Sequence, residues 1–180
     1  MWKDVKNYEG VYQVSDDGRV KSLAREVNGA YGSTHKLKEK ELKPWLASGY
    51  LRVTLRKEGK ETYAAIHRLV AEAFIPNPNE YKVVNHKDGN KANNNVSNLE
   101  WCTASDNLYH AFETGLNKPH AKLSYDEVVD IVTRKFNGQR ASYVYQDYAH
   151  KISKPGFYSV WGGYSYTKIY SDVKENIKNA

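Results

Sequence analysis

Amide and imidazole side chains recur at fixed distances in one stretch of this 180-residue chain. Val83-Val84-Asn85-His86 is a short apolar run closed by two polar residues. Lys87-Asp88-Gly89-Asn90 follows as a tight loop, and Asn98-Leu99-Glu100-Trp101 returns the chain. Eleven residues separate His86 from Asn98, and eight separate Asn98 from Asn107. These groups suit phosphodiester hydrolysis, which requires a base to activate water, a cation to stabilise charge on the phosphate and leaving oxygen, and a frame to hold both. His86, at the end of a strand, can serve as the base if one ring nitrogen is held so that the other faces water. A carbonyl across the hairpin can hold it, and Asn98 is well placed to do so. Mg²⁺ prefers oxygen ligands and keeps several waters. Asn85 from the strand and Asn107 from the following helix, completed by a DNA phosphate, therefore suffice for one cation.

The elements that must position these groups are readable from pattern. Strand Tyr81–His86 turns at Asp88-Gly89, where positive φ is tolerated. Asn90 and Asn93-Asn94-Asn95 read as turn residues. Thr103 caps the helix that carries Asn107, Asp106 suits its N-terminus, and Gly115 suits its end. His110 lies one turn beyond Asn107; it either stabilises charge near a phosphate or decorates the helix. Upstream, Ile66, Leu69, Val70, Ala73 and Phe74 fall at helical spacing, and Pro76 ends that helix. Its first turn carries His67 and Arg68. His67 is either a hydrogen-bonded interface histidine or, with Arg68, a contact to phosphate.

On either side of this centre the pattern changes. Gly10–Val14, Arg19–Leu23, Tyr50–Leu55 and Glu61–Ala65 alternate, with a hairpin turn at Asp16-Asp17-Gly18 and a Gly-rich loop at 28–34. Residues 1–65 are expected to form a twisted antiparallel sheet whose polar face carries Arg19, Lys21 and Arg52. Residues 117–123 read as an extended basic linker containing Lys118 and Lys122. Beyond it come a helix over Tyr125–Phe136 capped by Ser124, a second over about Tyr143–His150 and a third over Lys154–Val160. A tight connection near Ile152-Ser153 makes these resemble a helix-turn-helix. Residues 164–170 have no clear pattern. The fold class is α+β: a β module at 1–65, a compact site at 66–116, the linker, and a helical module at 124–180, strung as an extended multi-module chain.

His86, Asn98 and Asn107, with the flanks His67-Arg68-Leu69-Val70-Ala71 and Val84-Asn85-His86-Lys87-Asp88-Gly89-Asn90, resemble the His-Asn-Asn signature of HNH endonucleases with the ββα-metal fold. The phage and intron-encoded homing subgroup is the most similar. Trp2-Lys3-Asp4-Val5 and Tyr8–Ser15 look like the β-rich DNA-binding module fused to such nucleases. The resemblance covers residues 1–116, and the last third matches in layout alone. It implies that His86 is the general base, that Asn98 orients it, and that Asn85 and Asn107 bind one Mg²⁺ or Mn²⁺. Many relatives carry Asp where this chain has Asn85. A neutral amide binds a divalent cation more weakly, so Asn85→Asp is expected to strengthen the site.

Composition agrees with a polyanion partner such as nucleic acid, and equally with ordinary solubility charge. Lys and Arg total 27 against 21 Asp and Glu, a net charge of +6, which suits double-stranded DNA. Arg19, Lys21, Arg52, Lys118, Lys122 and Lys154 are the candidate DNA contacts, with the helix from Lys154 as major-groove reader. Cys102 is the single cysteine, so no intrachain disulfide and no cysteine-based structural zinc site are expected. No signal-peptide or membrane-spanning pattern is seen, and no obligatory protein partner is evident. A cytoplasmic setting follows, in a bacterial host if the chain is phage-encoded. The expected function is a site-specific, metal-dependent DNA endonuclease that nicks as a monomer. The alternative is a catalytically weak or silent DNA-binding protein descended from one.

Overall fold

The structure is a computed structural model that describes residues 1–28, 33–116 and 122–179. Lys118 and the centre of the Gly-rich loop lie outside the described residues. The chain is a mixed α/β fold of small sheets and six helices among the described residues. It divides into two compact units, Met1–Asn107 and Leu108–Ala180.

In the first unit the alternating segments become strands, though not one sheet. Strands β1 (Trp2–Asp4), β2 (Tyr12–Ser15), β3 (Val20–Ser22) and β6 (Lys40–Glu41) form a four-stranded antiparallel sheet. Strands β4 (Arg25–Asn28) and β5 (Thr34–Leu37) pair separately as a ribbon, and all four residues of β5 are exposed. Strands β7 (Trp45–Ala47), β8 (Tyr50–Lys57) and β9 (Lys60–Ala65) make a three-stranded meander. The single sheet expected for residues 1–65 is thus three smaller ones. Alternation reports which face is buried, whereas pairing depends on where each turn sends the chain.

Residues 1–65 do not enclose a core of their own. Val14, Val20, Val53 and Leu55 pack in one cluster with Ile66, Leu69 and Val70 of helix α1 (Ile66–Phe74) and with Val84 and Leu99 of the central hairpin. Two short sheets have too little apolar area to bury alone, and a shared core removes more of it from water. The hairpin itself consists of β10 (Val83–His86) and β11 (Leu99–Cys102), with a single 3₁₀ turn at Val96–Asn98 before the return strand. Helix α2 (Ala104–Glu113) follows β11 at once. Thr103 Oγ1 accepts the Asp106 amide at 3.0 Å and donates to the Asp106 carboxylate at 2.7 Å, so the expected cap fixes where α2 begins.

The β2–β3 hairpin presses on the central loop. The Val96 amide donates to the Asp16 carbonyl at 2.8 Å. Gly18 has φ of +87° and lies so close to Asn94 that a β-carbon there would sit 2.8 Å from the Asn94 Cβ.

The second unit has an independent core. Helices α3 (Tyr125–Phe136), α4 (Ala141–Tyr148), α5 (Lys154–Gly162) and α6 (Thr167–Lys178) bury Val128, Ile131, Val132, Val144, Phe157, Val160, Ile169 and Val173 together. Tyr109 and Phe112, on the last turns of α2, pack against that core. Ser124 and Glu127 form a full capping box on α3, as the sequence indicates. Helix α6 begins at Thr167, within the segment 164–170 whose pattern was unclear, and runs beyond it; its buried Ile169 and Val173 are one turn apart. Among the described residues, no helix is long and apolar enough to cross a membrane.

Helix α1 buries one histidine among its apolar side chains. His67 is 8% exposed, and its Nδ1 has no hydrogen-bond partner. Burial, and then the positive neighbours His86, Arg68 and Arg52, push its pKa down to about 4. The unfolded chain takes up a proton near the ordinary value of about 6.5. Stability is therefore complete above that pH and is lost as pH falls toward 4, by at most about 3 kcal/mol. Urea unfolding at pH 7 and pH 4.5 should show a larger acid loss for the unmodified chain than for His67→Gln. Equal losses would exclude His67 as the source. Gly18→Ala combines a strained φ with the Asn94 contact and should cost about 2 kcal/mol, read as a lower Tm. An unchanged Tm would mean that the hairpin does not bear on the loop.

Candidate active site

Register places Asn85 opposite Glu100 and His86 opposite Leu99. Successive strand residues point to opposite faces, so Asn85 and His86 turn different ways from the same strand end. Both are 5% exposed.

On one side, His86 Nε2 lies 3.3 Å from Asn94 Oδ1. Its ring meets that of His67 edge-on, with centroids 5.2 Å apart, and lies 6.0 Å from that of Tyr50. Tyr50 also contacts His67 at 4.8 Å and receives Lys91 Nζ over its ring at 4.7 Å. Burial, the largest influence, lowers the His86 pKa; the Asn94 hydrogen bond and Asp88 oppose this, and Lys91 reinforces it. The imidazole is held so that it favours the neutral form, as a base requires.

The expected partner of His86 was Asn98, and here the structure differs. Asn98 Oδ1 accepts the Asp88 amide at 3.0 Å, while its Nδ2 donates to the Asp88 carboxylate and to the Asn93 carbonyl, both at 2.9 Å. Asn98 is buried and ties the loop shut, and Asn94 touches the imidazole instead. Asp88 takes a further bond from Asn93 Nδ2 at 2.7 Å, and these bonds hold its carboxyl below the usual range. In sequence the three consecutive asparagines are equivalent. Only the fold distinguishes Asn94, 4% exposed and turned to His86, from Asn95, whose side chain caps the 3₁₀ turn at Ser97.

On the other side, Asn85 Nδ2 donates to Glu100 Oε1 at 2.8 Å. Glu100 carried no role in the sequence reading; its position directly across the hairpin from Asn85 is the signal that would have found it. Asn107 is half-buried in the first turns of α2, its backbone N–H donating to the Thr103 carbonyl at 3.1 Å. Asn85 and Asn107 offer amide oxygens, which suit a hard cation such as Mg²⁺ or Mn²⁺. The described residues contain no group of three or more His, Cys, Asp or Glu able to hold a metal. Two neutral amide oxygens are by themselves short of ligands for a divalent cation, and phosphate and water oxygens would have to complete the set. Cys102, in β11, is buried and has its thiol pKa raised, chiefly by burial.

The remaining candidates are distributed as follows. Arg68 donates to the Lys82 carbonyl at 3.0 Å and stacks on Trp101, so the hairpin holds it. His110 falls in the second unit, on α2. Arg19 pairs with Asp17 and Glu41, and Lys21 pairs with Glu39 and lies over the Trp2 ring at 4.8 Å. Arg52 is half-buried with its Nε unpartnered. Lys122 and Lys154 are exposed.

Comparison with known proteins places this geometry. Residues 1–56 match the NUMOD4 motif and residues 64–109 match the HNH endonuclease family. The DNA endonuclease I-HmuI of Bacillus phage SP01 is 43% identical over 114 residues, 63% of this chain and 59% of that protein. An uncharacterised HNH endonuclease of Acanthamoeba polyphaga mimivirus is 39% identical over 124 residues, 68% of this chain and 34% of its own length. A solved structure describing DNA binding and cleavage by the homing endonuclease I-HmuI aligns with a TM-score of 0.54 at 40% identity, covering 67% of this chain and 62% of that one. The chain thus spans between about a third and three-fifths of the length of these relatives. The two matches together take in both the β-rich segment and the hairpin that holds His86: the chain carries an HNH endonuclease domain at residues 64–109, with a NUMOD4 motif ahead of it.

Proposed function

We propose that the chain is a site-specific, metal-dependent DNA endonuclease of the homing type that hydrolyses a phosphodiester bond with His86 as general base. The observation that carries this reading is the buried His86 imidazole, disposed toward its neutral form and held at Nε2 by Asn94 at 3.3 Å. His86 takes the proton of the attacking water, and Asn94 restrains its ring. Asn98 keeps the loop closed behind it and so orients the base indirectly. Asn85 and Asn107 would hold one Mg²⁺ or Mn²⁺, which when bound supplies positive charge to the phosphate and leaving oxygen. His67 lies against His86 and limits water on that side; Arg68 and His110 remain candidate phosphate contacts.

Double-stranded DNA is the substrate in this reading. Arg19, Lys21, Arg52, Lys118, Lys122 and Lys154 contact its backbone, and α4 and α5 act as a helix-turn-helix with α5 in the major groove. Lys154 and Pro155, the first two residues of α5, are exposed, which suits an approach to phosphate. The chain carries one His86 site, so a monomer nicks one strand. A binding protein without activity is the competing reading, and Asn85, in place of a carboxylate, is its support.

Incubation of supercoiled plasmid with Mg²⁺ or Mn²⁺ should yield open circles, and His86→Ala should slow this by at least about 100-fold. Equal nicking by the two proteins would remove His86 as base, and no nicking with either metal would favour the binding protein. Lys154→Ala should weaken duplex binding and lower the slope of log affinity against log salt by about one, measured by fluorescence anisotropy. An unchanged slope would take α5 away from the DNA.

A further inference from the structure

Asn85 stands at a position where a carboxylate would bind a divalent cation better, yet it is buried and its side chain is already committed. The commitment has a direction. Its Nδ2 donates to Glu100 Oε1 at 2.8 Å, across a strand pair whose register sets the two residues face to face. An amide has a donor end and an acceptor end. Holding the nitrogen against Glu100 leaves Oδ1 as the end that can meet a cation. Nothing in Asn85 itself decides that choice, because the two ends have almost the same shape.

The same bond carries charge. An amide N–H that donates to a carboxylate forms a charge-assisted hydrogen bond. Donation polarises the amide and shifts electron density onto its oxygen, as in other hydrogen-bonded chains. Outer groups of this kind orient a ligand and raise its basicity.

We propose that Glu100 is the positioning residue of the cation site: Asn85 and Glu100 act as one anionic donor unit, in which Asn85 presents the oxygen and Glu100 supplies the negative charge and fixes which way the amide faces. The proposal rests on the nuclease reading above, and it alters what substitution at Asn85 should do. Asn85→Asp alone sets two carboxylates against each other and removes the hydrogen bond. Asn85→Asp with Glu100→Gln restores the bond with its polarity reversed, the glutamine amide now donating to the aspartate. The gain expected for Asn85→Asp from its own chemistry should therefore appear only in the double variant.

The test uses the intact ¹⁵N-labelled chain titrated with Mn²⁺ alone, reading paramagnetic broadening of the side-chain amide signals of Asn85 and Asn107. The unmodified chain should show selective broadening of both. Glu100→Gln should need at least about tenfold more Mn²⁺ for the same effect. Asn85→Asp alone, read at Asn107, should bind more weakly than the double variant. A Glu100→Gln titration within about twofold of the unmodified chain would overturn the proposal and leave the nuclease reading standing. So would Asn85→Asp matching the double variant. Absence of selective broadening in the unmodified chain would overturn the proposed donor unit, while the plasmid assay would still decide the nuclease reading. If Glu100→Gln unfolds the hairpin, the comparison of Asn85→Asp with the double variant decides alone.

Discussion

Three hydrogen bonds from one buried amide, that of Asn98, hold the loop between β10 and β11 in a single shape. A loop of polar residues has no apolar reason to stay folded, and its backbone groups are satisfied equally well by water. Asn98 supplies the missing constraint by joining the start of the loop, at Asp88, and its middle, at Asn93, to the turn just before the return strand. Asn94 then has one place to go, and that place is the His86 ring. The N-terminal hairpin seals the arrangement from outside, with Asp16 bonded to Val96 and Gly18 against Asn94.

Much of this was legible from residue order. The apolar run into Asn85-His86, the Asp88-Gly89 turn, the Thr103 cap and the Ser124 box are local signals, and local signals survive without a fold. Roles that depend on a partner across the hairpin were not legible. Asn98 was expected at the imidazole because both were polar and close in register, but the 3₁₀ turn at Val96–Asn98 directs its side chain into the loop. Asn94 was lost among three identical neighbours. Glu100 looked like an outward strand residue until its opposite number was known. Helix α6 was missed because Tyr166, Tyr170 and the surrounding polar residues dilute a two-residue buried stripe.

In the electrostatics of the site, burial outweighs the charged groups that stand near the imidazoles, Asp88 and Lys91 for His86 and Arg68 and Arg52 for His67. His86 and His67 are both driven toward neutrality by burial, and the amides around them carry dipoles in place of charges. A low local dielectric strengthens interactions with whatever charge arrives. Such a surround suits a centre whose charged components, phosphate and cation, come from outside the protein.

The distribution of the two cores has a further consequence. Residues 1–65 contribute Val14, Val20, Val53 and Leu55 to the same interior as the hairpin, whereas the helices after α2 enclose an interior of their own. Recombination that joined a foreign segment at residue 65 would cut through a packed interior and leave both halves without enough apolar contact to fold. A join within α2, after Asn107 and before Tyr109, separates residues that belong to different interiors. The N-terminal strands and the hairpin therefore depend on one another for burial, while the C-terminal helices have an interior of their own.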